Sequence, residues 1–191
     1  MDAKPWLKHY DPGVPAHLEY PDVPLFRLLD EAAARFPQRA CTIFEDQAIS
    51  YQEMAQLTHR LAAGLRHLGV QKGDRVGLIM PNIPQFVLAY YAVLRAGGVV
   101  VAMNPHYKER ELLFHLNDSG AQVVIALEEL RPLLETIGPQ TAVRQWVFTR
   151  LQDAARLASF ESGGWPEGRE LQLLDLLQAT AEDTAPLEEA I

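Results

Sequence analysis

The chain has 191 residues, 48% of them hydrophobic and 22% charged, a composition that permits a packed core and excludes a disordered polyelectrolyte. Its formal net charge is −8, and the 17 Lys and Arg residues are scattered rather than gathered into a stripe, which excludes nucleic acid as the main partner. One cysteine, Cys41, excludes a disulfide framework and any multi-cysteine metal site, and a reducing, cytoplasmic setting is expected.

Residues 1–23 are charged and proline-rich and carry no apolar segment of signal-peptide type, so they predict an extended arm with Trp6, Leu7 and Tyr10 as its apolar anchors. From Pro24 the spacing of Leu25, Leu28, Leu29, Ala32 and Phe36 predicts a helix that ends before Pro37. Two short strands, Thr42–Phe44 and Ala48–Ser50, flank a hairpin-like turn at Glu45-Asp46-Gln47, and Cys41 reads as a buried strand thiol. Ser50 and Glu53 have capping-box spacing, and Met54, Leu57, Leu61, Leu65 and Leu68 mark one face of the helix they open, with Gly69 as its stop. A turn at Lys72-Gly73-Asp74 leads into a strand over 75–80, which Pro81-Asn82 ends, and Pro84 suits the first turn of a helix over 84–95.

The apolar run 86–103 approaches the length of a membrane span, but Arg95 and Gly97-Gly98 divide it into a helix and a strand, so it reads as buried interior. The alternation then continues with a strand at 98–103, a helix at 107–117, a strand at 121–127, a helix at 128–137, a strand at 145–149 and a helix at 151–158. Val- and Ile-rich strands, each followed by a helix, predict a doubly wound α/β fold, a mostly parallel sheet with helices on both faces. The expected organisation is an arm at 1–23, an α/β unit at 24–158, and a tail at 159–191 made of a loop, a short helix over 170–178 and an acidic linker that stops without a structural ending.

The chemistry on offer is sparse. Neither G-x-G-x-x-G nor G-x-x-x-x-G-K-[ST] occurs, which weakens a nicotinamide-dehydrogenase reading, and Gly97-Gly98 precedes a strand, so it reads as a close-packed turn. His59 and His67 lie eight apart on one helix without a carboxylate or thiol to complete a metal site, and both read as polar surface positions. Ser119 before Gly120 lacks the nucleophile-elbow pattern and reads as a helix C-terminal turn. The run Lys108-Glu109-Arg110-Glu111 reads as a solvated helical face with local ion pairs, with Lys108 and Arg110 placed for anion contact at the C-terminal end of a strand.

Several spaced segments together resemble the acyl-CoA synthetases of the adenylate-forming, AMP-binding superfamily, and among them the long-chain fatty-acid–CoA ligases. Ile49-Ser50-Tyr51-Gln52-Glu53-Met54 is similar to the family's first core motif; Gly69, then Lys72-Gly73-Asp74-Arg75-Val76, to its helix-to-strand turn; and Met80-Pro81-Asn82 to the strand end that follows. Leu94-Arg95-Ala96-Gly97-Gly98 is similar to the second core motif. Asn104-Pro105-His106-Tyr107, Arg110-Glu111-Leu112 and Leu116-Asn117-Asp118-Ser119-Gly120-Ala121, with Trp6-Leu7 through Tyr10 and Val14-Pro15 near the start, look like the long-chain branch.

The resemblance implies a two-step reaction in the parent enzyme, in which ATP and a fatty acid give an acyl-adenylate and pyrophosphate and the CoA thiol then displaces AMP, with Mg²⁺ neutralising phosphate charge. The Ser/Thr/Gly-rich phosphate loop, the adenine and ribose segments and the mobile C-terminal domain with its lysine that such enzymes carry are not found in this sequence. The resemblance therefore implies an N-terminal portion of a synthetase, without catalytic or metal-binding residues of its own, inactive alone and binding no cofactor tightly. In some relatives a basic residue after Asn-Pro lies near the CoA nucleotide; here His106 holds that place and Lys108 is near enough to substitute, so both are candidate CoA-facing residues. The fatty acid and the remainder of the synthetase are the implied partners, peripheral membrane contact is compatible with a lipid-like substrate, and an uncovered apolar face predicts a homodimer. The competing reading is a naturally short, non-catalytic α/β module for partner binding or oligomerisation.

Overall fold

Residues 4–157 and 166–177 are described by a computed structural model, and the loop expected around 159–165 and the acidic stretch after 177 lie outside the described residues. The arm forms one short 3-10 turn, Pro5–His9, and its expected anchors are not buried: Trp6 is 54% and Tyr10 43% exposed. Helix α1 (Arg27–Arg35) starts later than the apolar spacing suggests, after two turns closed by the Pro24 and Leu25 carbonyls, and it buries Leu29.

Strands β1 (Ala40–Phe44) and β2 (Gln47–Ser50) form the antiparallel hairpin. Its turn is two residues, Glu45 and Asp46, both at positive φ (46° and 61°), the backbone that matches the twist of paired strands. Cys41 is half-buried, and burial pushes its thiol up from its ordinary value, which keeps it protonated and unreactive at neutral pH.

Ser50 then ends the hairpin and caps helix α2 (Tyr51–His67): its hydroxyl accepts from the Glu53 amide (3.2 Å) while the Glu53 carboxylate accepts from the Ser50 amide (2.8 Å). A five-stranded, wholly parallel sheet follows, built from β3 (Arg75–Ile79), β4 (Val99–Met103), β5 (Val123–Leu127), β6 (Gln145–Thr149) and β7 (Glu170–Gln172) in the order β4-β3-β5-β6-β7. The connecting helices are α3 (Pro84–Arg95), α4 (Glu109–Ser119) and α5 (Arg131–Ile137), and α6 (Leu173–Leu176) follows the last strand.

Alternate residues of the strands feed two cores, as a sheet covered on both faces requires. Val76, Leu78, Val123, Ile125 and Val147 join Leu57, Leu61, Leu88 and Leu176 on the face that α2, α3 and α6 cover. Ile79, Val124, Ala126, Trp146 and Phe148 join Leu112, Leu116 and Leu134 under α4 and α5.

Three further elements differ from the sequence reading. The segment expected as a helix over 128–137 opens with a 3-10 turn, Glu128–Leu130, and only then becomes α5. The segment 151–158 is a 3-10 helix, Leu151–Arg156. The helix expected over 170–178 starts at Leu173, because Glu170–Gln172 is drawn into the sheet beside Trp146–Phe148. Arg131 holds that short strand in place: it pairs with Glu128 (2.6 Å) and with Glu170, lies 3.9 Å from the Phe148 ring centroid, and leaves Glu128 free to accept from Gln172 (3.0 Å).

Arg95, which divides the long apolar run, is itself buried (5% exposed); its guanidinium pairs with Asp30 and lies 4.7 Å from the Phe26 ring centroid, fastening α1 to the end of α3. Beside this pair His59 is half-buried rather than on the surface, and burial first, then the Arg95 charge, lowers its pKa, so it is a neutral structural residue at pH 7.

Candidate functional site

In a parallel sheet every strand ends at one edge, so loops distant in sequence meet there. After β3, Pro81 stops the ladder and Ile83 takes the N-cap position of α3, whose first residue is Pro84. After β4, Asn104-Pro105 leads into a turn in which the Asn104 side-chain oxygen accepts from the His106 amide (2.9 Å). The two loops border an open, shallow cleft of about 410 Å³, lined by apolar Met80, Phe86 and Met103 and by polar Asn82, Asn104 and His106. An apolar wall with a few convergent polar groups is the make-up of a small-molecule site.

Of the two residues singled out as CoA-facing, the structure places His106 in this cleft, exposed, and Lys108 outside its lining. Lys108 is the exposed N-cap residue of α4, and its backbone amide donates to the Glu111 carboxylate (2.9 Å). The ion pairs expected along Lys108–Glu111 give way to this cap, and with Glu109 and Glu111 in its first turn the N-terminal end of the α4 dipole already faces negative charge.

The Tyr107 ring lies parallel to His115 (5.1 Å between centroids, 4° between planes), which fixes the loop to α4. Phe114 is 64% exposed, and Arg110, Glu111, Phe114 and His115 line a second, open hollow of about 520 Å³ on the outer face of that helix.

The topological switch point, where connections leave in opposite directions, falls between β3 and β5. There the chain fills its own crevice. Gln85 of α3 is fully buried and donates to the Arg150 carbonyl (2.8 Å), beyond β6, while Asp153 accepts from the Arg150 amide (2.8 Å). Met80-Pro81-Asn82 reads in the sequence as a strand end and not as part of a site, and Phe86 and this Gln85 bridge are not singled out there; that two strands end side by side is the signal that leads to the cleft, and it needs the strand order.

Ser119 and Gly97-Gly98 behave as read. The Ser119 hydroxyl donates to the His115 carbonyl (2.7 Å) and Gly120 (φ 63°) closes α4. A side chain at Gly97 (φ 87°) would meet the Lys72 backbone at 3.3 Å. Among the described residues no group of three or more His, Cys, Asp or Glu is placed to hold a metal ion, and no helix is long and apolar enough to cross a membrane.

Residues 29–186 match the family of AMP-binding enzymes. The chain belongs to this family. It is 39% identical over 153 residues to a long-chain-fatty-acid–CoA ligase of Bacillus subtilis (strain 168), covering 80% of this chain and 27% of the relative, and 38% identical over 153 residues to one of Yersinia pestis, covering 78% and 27%. A crystal structure of a long-chain-fatty-acid–CoA ligase from Archaeoglobus fulgidus superposes with a TM-score of 0.69 at 29% identity, over 80% of this chain and 34% of that one. The chain thus spans about a quarter of the length of the curated relatives it matches.

Proposed function

We propose that this chain is the N-terminal portion of an ATP-dependent long-chain fatty-acid–CoA ligase, organised as an arm (1–23), an α/β unit (24–158) and a tail (159–191), in which it supplies scaffold and one wall of the CoA site. The observation that carries the reading is the match over 153 residues to ligases of which the chain spans 27%. The cleft between the ends of β3 and β4 supports the CoA assignment: His106 lines it as a polar, exposed side chain, and exposed Lys108 follows two residues on as a cation for phosphate. Magnesium would neutralise phosphate charge in the complete enzyme; the described residues offer no carboxylate cluster to hold it, and no step is assigned to it. Peripheral membrane contact and self-association belong to the same proposal, supported by the exposed Trp6, Leu18 and Tyr20 of the arm.

The test is a chimera in which this chain replaces the aligned segment of the Bacillus subtilis ligase. It is expected to form palmitoyl-CoA from ATP, palmitate and CoA, while the 191-residue chain alone shows no ATP–pyrophosphate exchange with palmitate. A folded but inactive chimera, or exchange by the chain alone, would overturn the reading.

A further inference from the structure

Helix α4 presents a row of side chains to solvent. Arg110, Phe114 and Asp118 are spaced four residues apart, so they follow one another along one face of the helix, and all three are exposed. Phe114 is 64% exposed and is held edge-on against His115 (5.4 Å between centroids), which is itself stacked on Tyr107, so the aromatic surface is already ordered. The open hollow of about 520 Å³ lies beside it, between the row of Arg110 and Phe114 and the row of Glu111 and His115.

The two charges of the row sit at the wrong ends of their own helix. A helix dipole favours acids at the N-terminal end and bases at the C-terminal end. Arg110 lies in the first turn of α4, and Asp118 in the last, where no basic residue accompanies it. Neither is ion-paired among the described residues. The Glu111 carboxylate accepts from the Lys108 amide (2.9 Å), and Arg75 donates to the Ser119 and Gly120 carbonyls.

A second α4 laid antiparallel gives both charges a partner. About a two-fold axis at Phe114, residue 110 of each copy comes opposite residue 118 of the other, so the row meets itself as Arg-Phe-Asp against Asp-Phe-Arg. The commonest helix crossing, at about 50°, sets two such rows of i, i+4 side chains side by side, the ridge of each helix in the groove of the other. Phe114 of each copy then enters the hollow beside Phe114 of the other. A parallel pair would set Arg110 on Arg110 and Asp118 on Asp118.

We infer that the outer face of α4 is a two-fold interface between copies of this chain. The inference rests on the self-association put forward above and gives it a surface. A second copy is the occupant because the row supplies its own complement in charge, which recognition of any other partner does not require. One helix pair is a small contact, below roughly 1,200 Å² in total, and each chain carries a charge of −8, so the dimer is weak.

The experiment is sedimentation equilibrium of the 191-residue chain up to about 1 mM, the range a weak interface calls for. Phe114→Ala, Arg110→Asp and Asp118→Arg should each weaken the dimer by about tenfold or more, the charge changes by setting like charges opposite each other twice per dimer. Arg110→Asp combined with Asp118→Arg restores the pairs in reverse and should return the affinity to within about threefold of wild type. All three residues are exposed, so at low concentration each variant should melt within about 2 °C of wild type.

A double variant as weak as the single ones overturns the inference. A dimer indifferent to every substitution also overturns it and leaves self-association to another surface, whereas a strict monomer over the whole range removes both. In the Bacillus subtilis chimera, a melting temperature lowered by Phe114→Ala where the chimera is monomeric makes the rest of the ligase the occupant and overturns the inference as well. The charge reversal in the 191-residue chain decides the matter even where the chimera does not fold.

Discussion

The N-terminal and C-terminal edges of the parallel sheet are built on opposite plans. All the crossover helices end at the first edge, so unpaired carbonyls and the negative ends of their dipoles converge there. Arginines meet them: Arg75 donates to the carbonyls of Ser119 (2.7 Å) and Gly120 (3.4 Å) at the end of α4, Arg144 to that of Gly69 after α2 (3.2 Å), and Arg169 to that of Val143 ahead of β6 (3.2 Å). At the other edge prolines stop the strands, the loops leave a cleft lined by exposed His106, and exposed Lys108 follows at the start of α4. Arginine side chains at one end are committed to the backbone; at the other Gln85, Asn104 and Asp153 are too, while the side chains of His106 and Lys108 are exposed. That division, more than any single motif, says where a ligand would bind.

Substitutions at the closed edge should cost stability, and those at the open edge should cost binding. The largest effect is expected from Gly97→Ala, which meets both the positive φ and the Lys72 backbone at 3.3 Å; it should lose about 1–3 kcal/mol in a denaturant titration. Arg75→Ala strips the donor from two helix-end carbonyls but lies at an exposed site where water replaces it, so about 1 kcal/mol is expected.

Ser50→Ala removes the α2 cap and should cost about 1 kcal/mol at pH 7. Here pH adds a check. The hydrogen bond from the Ser50 hydroxyl holds the Glu53 carboxyl below its usual value of 4.5, so its stabilisation is fully present above that value and is lost as pH falls through the depressed one. The difference between wild type and Ser50→Ala should narrow in that acid range, and a gap that stays constant would separate the cap from the Glu53 charge. The smallest effect on stability, within about 0.5 kcal/mol, is expected from His106→Ala with Lys108→Ala, since both residues are exposed.

How legible these parts were follows from the range of the interactions behind them. The capping box at Ser50 and Glu53, the hairpin turn and the Gly120 stop are made within four residues, and each was readable from neighbours alone. The parallel α/β class was readable because strands covered on both faces must be apolar throughout. Strand β7 was not: three residues carry no period, and it exists because Trp146 donates to Arg169 (2.9 Å) and Arg131 reaches Glu170, 39 positions away. The Arg95–Asp30 pair spans 65 positions and was equally invisible. His106 and the segment Met80-Pro81-Asn82 came from resemblance to a family, and that they share one cleft with Phe86 only from the side-by-side ends of β3 and β4.

The account stands or falls on whether the open edge handles CoA in an assembled ligase. The direct measurement is the CoA KM of the Bacillus subtilis chimera with and without His106→Ala and Lys108→Ala. The account predicts a rise of about tenfold, the loss of about 1.4 kcal/mol of anion contact, with the palmitate KM and the melting temperature unchanged. An unchanged CoA KM in a folded, active chimera would contradict it.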